Sequence, residues 1–257
     1  MAAAESDQRR RVAVLGVPID AVRWDEALAR VARWADGRES RVVCICNVHS
    51  VVTASRDPAF GAVVEACDMA TPDGAPVAWM LRRLGVRRQP RVNGPDLMWR
   101  SCGEAAASGR GIYLYGGSQQ TLDLLCGRLR EAYPALQIAG AVSPPFRPLT
   151  AEEDAAEVER INSSGVGLLF VGLGCPKQEH WMQDHRDQVH AVMIGVGAAF
   201  DYHAGTLPRA PAWMQRFGLE WVHRLAHEPR RLWRRYLVTN SLFTAGAIRQ
   251  LLARARS

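Results

Sequence analysis

The sequence predicts an α/β fold: a mostly parallel sheet with helices on both faces, followed by a helical C-terminal appendage. Three observations predict it. Short apolar runs of strand character alternate with helical patterns between residues 12 and 196. Several of these runs end in glycine-rich turns, the form a strand takes when it feeds directly into a helix. Near Leu207 the strand signals stop, and arginine and tryptophan become frequent.

The elements follow in order. Residues 12–19 read as a strand and 24–35 as a helix. Residues 41–47 are β-rich and end in Asn-Val-His-Ser, and one helix then runs through Ala66. Residues 68–71 form a strand that leads through Pro72-Asp73-Gly74 into an apolar helix, 75–84. Strands are expected at 111–115, 137–142, 167–171 and 191–196, and helices at 118–133, 150–163 and 177–185. This alternation is that of a Rossmann-like sheet. Residues 1–11 read as a disordered N-terminal tail, 12–206 as the α/β core and 207–257 as the appendage.

Bulk composition narrows the function classes. With 48% hydrophobic and 23% charged residues, the 257-residue chain is neither disordered nor fibrous. Its net charge of +6 is unevenly spread. Residues 207–257 hold ten arginines against Glu220 and Glu228, a formal +8, which leaves −2 for the remainder. A uniformly basic nucleic-acid coat is excluded, and the tail is expected to meet an anion. The N-terminus has charge with no apolar stretch after it, unlike a signal peptide. The apolar runs reach about ten residues where a spanning helix needs about 20. The expectation is a protein that is soluble or lies on a membrane. The six cysteines form no C-x-x-C, and His180, His185 and His190, spaced by five, do not align on a helix face. A reducing cytosolic compartment is expected, with no metal site and no cofactor.

Parallel sheets bind ligands at the carboxyl ends of their strands, and three such ends carry suitable residues. In the first, Gly116, Gly117 and Ser118 join a strand to a helix, as a phosphate-binding backbone does; a plain turn is the alternative. In the second, Gly172 and Gly174 precede Pro176 and Lys177, the chain's single lysine among 32 basic residues. A compact ammonium suits a phosphate, and Gln178 and Glu179 beside it suit hydrogen bonds to a sugar or base. In the third, Asp73 follows Pro72 and precedes Gly74, so it projects into the cleft or caps the next helix. Asn47 and His49 end the neighbouring strand. Asp201 closes the last one, as a cleft group or a turn cap. In the tail, Trp213, Phe217 and Trp221 recur every four residues on one expected helix face, and Pro229 breaks or restarts the helix. Arg231, Arg234 and Arg235 then cluster among Leu232, Trp233 and Tyr236. That mixture suits an anionic membrane surface or a phosphorylated ligand; a basic helix packed on its own domain is the alternative.

Taken together, Asn47-Val48-His49-Ser50, Arg56-Asp57-Pro58, Pro72-Asp73-Gly74, Arg91-Val92-Asn93-Gly94-Pro95-Asp96, Leu114 through Ser118, Gly172 through Glu179, Gly195 through Asp201 and Leu219 through Arg235 form an ordered series. The series, within residues 12 to 243, resembles the WecG/TagA/CpsF family of bacterial glycosyltransferases (glycosyltransferase family 26). The resemblance implies transfer of a sugar from a UDP-sugar to a polyprenyl-diphosphate-linked sugar, by an enzyme peripheral on the cytoplasmic face of the membrane. The sugar is N-acetylmannosamine, its uronic acid or a hexose, destined for teichoic acid or another surface polysaccharide. It implies Asp73 as the base, with Asn47, Arg91 and Gln178 in the catalytic site and Arg224, Arg231 and Arg234 completing it from the tail. One departure is Ile45, where many members carry Thr.

The chemistry of the residues agrees. Sugar transfer needs a base for the acceptor hydroxyl and charges for the departing diphosphate. Asp73 fits the first role; Lys177, the glycine turns and the tail arginines fit the second. No D-x-D motif is present, so arginines stand in for a divalent ion in an inverting, metal-independent reaction. A non-catalytic nucleotide-binding module that docks on membranes is the alternative. A nucleic-acid partner is not expected, because the tail arginines are mixed with Trp and Leu. A homo-oligomer is left open.

Overall fold

A computed structural model describes residues 9–256. It opens with a hairpin, β1 (Arg11–Val14) and β2 (Val17–Asp20), paired antiparallel from Arg11↔Asp20 to Val14↔Val17. One strand was expected over 12–19. The chain reverses inside it because Leu15 and Gly16 both take positive φ, 52° and 84°, as a two-residue hairpin turn requires. Of the expected N-terminal tail, residues 1–8 lie outside the described residues. Arg9 is fixed: its guanidinium donates to both Asp20 oxygens (2.6 and 2.8 Å) and to the Cys67 carbonyl (2.6 Å).

The core proceeds as α1 (Trp24–Asp36), β3 (Arg41–Cys46), α2 (Val48–Arg56), α3 (Pro58–Ala66), β4 (Met69–Pro72), α4 (Ala75–Arg83), α5 (Gly94–Ser108), β5 (Gly111–Gly116), α6 (Gln119–Ala132), β6 (Gln137–Val142), α7 (Ala151–Ser163), β7 (Leu168–Gly172), α8 (Lys177–Asp184), β8 (Val192–Gly195) and α9 (Ala199–Ala204). The single helix expected between residues 47 and 66 is two. Asp57 accepts hydrogen bonds from the Ala59 and Phe60 amides and Pro58 opens α3, which makes Asp57 a cap instead of a continuing turn. Helix α5, not assigned from the sequence, begins at the Asn93 cap.

The six strands form one parallel sheet in the order β4-β3-β8-β7-β5-β6, the expected Rossmann-like arrangement. The central strands are apolar throughout, such as LLFVG in β7 and VMIG in β8, because helices cover both faces. On one face Val51, Phe60, Tyr115, Val171 and Met193 pack together; on the other Val31, Leu97, Leu114, Phe170 and Ile194 do so.

The appendage is helical, as expected: α10 (Ala212–Arg216), α11 (Glu220–His227) and α12 (Pro229–Ala255). The single face drawn through Trp213, Phe217 and Trp221 does not form, because Gly218, at φ 73°, breaks the chain between α10 and α11. Pro229 restarts the helix as α12. The distal half of α12 belongs to the core. Phe243 and Ala247 are buried in it, and the Gln250 amide accepts from the Leu15 amide (2.9 Å) and donates to the Ala13 carbonyl (2.7 Å). Among the described residues no helix is long and apolar enough to cross a membrane. Truncating Phe243 to Ala is expected to cost about 3 kcal/mol, read as a lower urea midpoint at unchanged m-value.

Candidate active site

The carboxyl ends of β3, β4, β7 and β8 open into a cleft of about 710 Å³ that α11 and α12 roof. Asp73 stands at its floor. Its amide donates to the Cys46 carbonyl (3.0 Å), which locks the end of β4 to the end of β3. Gly74, at φ 84°, then turns the chain into α4 and is itself the helix boundary. Asp73 therefore lies outside the capping position, and the capping alternative falls. Burial lifts its carboxyl to about 6; the Arg91 guanidinium opposes the rise and the Glu220 carboxylate adds to it. Asp73 is thus a carboxylate that exchanges its proton close to neutral pH.

Arg91, in the loop before α5, donates through Nη1 to Glu220 Oε2 in a close contact and through Nη2 to Oε1 at 3.4 Å. Glu220 begins α11, so this pair joins core and roof beside Asp73. Asn47 caps α2: its Oδ1 accepts from the His49 and Ser50 amides (2.9 and 3.2 Å). That leaves its Nδ2 as the donor available to a ligand. His49 lines the same wall. Burial, and then the charge of Arg235, hold it down at about 4, so it is neutral at physiological pH.

Gln178 is a tie at the base of the cleft. It is 3% exposed; its Oε1 accepts from the amides of Gly174 (3.2 Å) and Gly197 (3.1 Å), and its Nε2 donates to Glu179 Oε1 (2.9 Å). Its contacts bridge the loops after β7 and β8 and commit it to their spacing. Gly172, Gly174 and Asp201 line the cleft as expected. Asp201 sits in the first turn of α9, where its Oδ1 accepts from Thr206 (3.3 Å) and Thr121 (3.4 Å). Arg224, from α11, places its guanidinium 6.0 Å from the Tyr202 ring centre, and Arg231 reaches the cleft from α12 while pairing with Glu228 (2.6 Å).

Other expected residues lie elsewhere. Gly116, Gly117 and Ser118 do not line the cleft. A Cβ on Gly116 would stand 2.6 Å from the Gly172 carbonyl carbon, so its bareness serves strand packing. Ser118 caps α6, accepting from the Thr121 amide (3.1 Å). Lys177 opens α8 with an exposed side chain, also outside the cleft. Glu179 is buried behind Gln178, its carboxyl raised by desolvation. Arg234 is exposed and directed away; Arg235 occupies the cleft in its place, its Nε buried and without a hydrogen-bond partner among the described residues. Helix phase explains the exchange: Arg231, Arg235 and Thr239 recur every four residues on the inward face of α12. That spacing was available in the sequence. Tyr202, Glu220 and Tyr236, also in the cleft, had no comparable signal.

The site is thus a cleft at the strand ends of an α/β fold, in which the raised Asp73 carboxyl stands with Arg91, Arg224, Arg231 and Arg235. The chain belongs to the Glycosyl transferase WecG/TagA/CpsF family, whose model matches residues 12–257. It is a glycosyltransferase. It is similar to the N-acetylglucosaminyldiphosphoundecaprenol N-acetyl-beta-D-mannosaminyltransferase of Bacillus spizizenii, 28% identical over 213 residues that span 82% of this chain and 80% of the relative.

Two outcomes follow from the geometry. Because the folded state raises the Asp73 carboxyl, its stabilising effect is complete below pH ~4 and is lost as pH rises through about 6. Asp73→Asn should therefore melt higher than the parent at pH 7.5, with the difference vanishing below pH ~4. Calorimetric titration with inorganic diphosphate should show Arg235→Ala binding roughly ten-fold more weakly, as loss of a charged hydrogen bond predicts. Arg234→Ala should bind like the parent.

Proposed function

We propose that the protein is an inverting glycosyltransferase that moves N-acetylmannosamine from its UDP-sugar to a polyprenyl-diphosphate-linked N-acetylglucosamine at the cytoplasmic face of the membrane. The observation that carries the reading is Asp73: a carboxylate lifted to about 6, at the strand-end floor of a cleft whose roof supplies Arg224, Arg231 and Arg235. A module that only bound nucleotides would have no use for it. The choice of sugar and acceptor follows the name of the Bacillus relative.

In this reading the Asp73 carboxylate takes the proton from the acceptor hydroxyl as that oxygen attacks the anomeric carbon of the donor. The bond from that carbon to the UDP oxygen breaks on the opposite face, so one displacement inverts the centre. The electron pair leaves on the β-phosphate, where the arginines meet the growing charge. Asp73 then returns its proton to solvent. Arg91 holds position beside Asp73, Asn47 donates through Nδ2, and Gln178 positions the glycine loops. Guanidinium groups serve where a divalent ion otherwise would. The exposed Trp213, Phe217, Trp233 and Leu237 of the roof, interspersed with arginines, suit contact with an anionic membrane surface.

The test is transfer of radiolabelled N-acetylmannosamine from UDP to a lipid-diphosphate N-acetylglucosamine. Asp73→Ala should lower the rate by about 10²–10⁴-fold while UDP-sugar binding persists. For the parent, kcat/KM should rise with pH to a plateau above about 6 and be unchanged by EDTA. Near-normal turnover by Asp73→Ala removes Asp73 as the base, and no transfer with any UDP-sugar removes the reading.

A further inference from the structure

The cleft does not stop at the Asp73 loop. Ala75, Pro76, Phe243 and Thr244 line both it and a second cavity of about 540 Å³, which runs between α4 and α12. On α4 the lining residues Ala75, Trp79 and Arg82 recur every three or four positions, and on α12 Thr244, Ile248 and Leu251 do the same. Each helix therefore presents one stripe to the groove, ~10 Å long at 1.5 Å per residue. Phe217, which follows α10, closes one side.

The chemistry of this groove is unlike that of the cleft. Trp79, Phe217 and Ile248 are 44%, 71% and 55% exposed, an apolar wall left open to water. Among the described residues its lining contains no Asp, Glu, Asn or Gln. For a second sugar or a nucleobase it offers little beyond the Thr244 hydroxyl and the guanidinium groups of Arg82 and Arg216, too few partners to replace the hydrogen bonds such a ligand makes to water. Its charged members are Arg82 and Arg216, and the Arg82 Nη1 already donates to the Gln89 carbonyl (2.8 Å). The ligand that suits it is apolar, elongated and attached to an anion.

We propose that this groove seats the first isoprene units of the polyprenyl-diphosphate acceptor. The inference rests on the function proposed above. An acceptor whose sugar hydroxyl meets Asp73 carries its diphosphate next and its hydrocarbon beyond. The shared residues Ala75, Pro76, Phe243 and Thr244 give a continuous path from the carboxylate to the apolar stripes. The acceptor is then recognised at both ends, and its chain fixes the direction from which the sugar enters.

Water-soluble acceptors separate this from membrane adsorption. N-acetylglucosamine diphosphate bearing an ethyl group is compared with the same headgroup bearing a two-isoprene chain, both without detergent or vesicles. The parent enzyme should use the isoprenyl acceptor at least ten-fold better in kcat/KM, through KM. Ile248→Glu, outside the cleft, should abolish that preference while leaving the ethyl acceptor and the UDP-sugar KM unchanged; Ile248→Leu should retain it. Equal use of both acceptors by the parent overturns the groove while leaving the transferase reading intact. So does an Ile248→Glu variant that keeps the preference and loses only binding to anionic vesicles, since the surface would then meet the bilayer itself. Transfer to neither acceptor removes the underlying function and this inference with it.

Discussion

Six strands that all run one way must end at one edge, and the site depends on that constraint. Asn47, Asp73, Gly172, Gly174 and Gly197 are far apart in sequence. They meet because β3, β4, β7 and β8 lie side by side and point the same way. Parallel strands need crossover helices, so each strand end is also the approach to a helix, with free amides and sharp turns. Two ties then set the spacing of those ends. The Asp73 amide bonds the Cys46 carbonyl across β3 and β4, and the Gln178 side chain bonds the amides of Gly174 and Gly197 across β7 and β8.

Above that edge, the closure is of another kind. No residue of α10 or α11 is buried; the Arg91–Glu220 ion pair ties this part of the roof to the core, and the edge-on contact of Trp221 with Tyr236 (5.9 Å) ties it to α12. The ion pair weakens with ionic strength, unlike apolar packing. The same Glu220 carboxylate that steadies Arg91 also raises Asp73. The pair thus connects the position of the roof to the basicity of the floor. Helix α12 works differently, because its distal half is anchored in the core by Phe243, Ala247 and Gln250. The roof has one fixed wall and one tied to the core by an ion pair.

The sheet was legible because its strands are continuous apolar runs, a pattern set by burial on both faces. The hairpin was not, because Leu15 takes a positive φ inside an apolar run and gives no sign of it. In the site, Asp73 could be read because Pro72 and Gly74 mark a strand end that must turn sharply. Lys177 misled: rarity of a residue type carries no information about where its side chain points, and here it points to solvent. Gly116 misled for a related reason, since a bare Cα serves a strand contact as well as a phosphate. The exchange of Arg234 for Arg235 was a matter of helix phase that the spacing from Arg231 already contained. Glu220 could not be read at all, because its partner Arg91 lies 129 residues away.

The solitary lysine has a practical meaning of its own. Cys44, Cys46, Cys67, Cys102 and Cys126 are buried, and Cys175 is half-buried in the cleft wall. Lys177 stands in solvent at the head of α8, clear of the cleft. Apart from the α-amine, the protein offers amine-directed chemistry one address. A fluorophore or a surface tether placed there by ordinary coupling would sit at a known point on the rim of the sheet, with every arginine of the cleft left untouched.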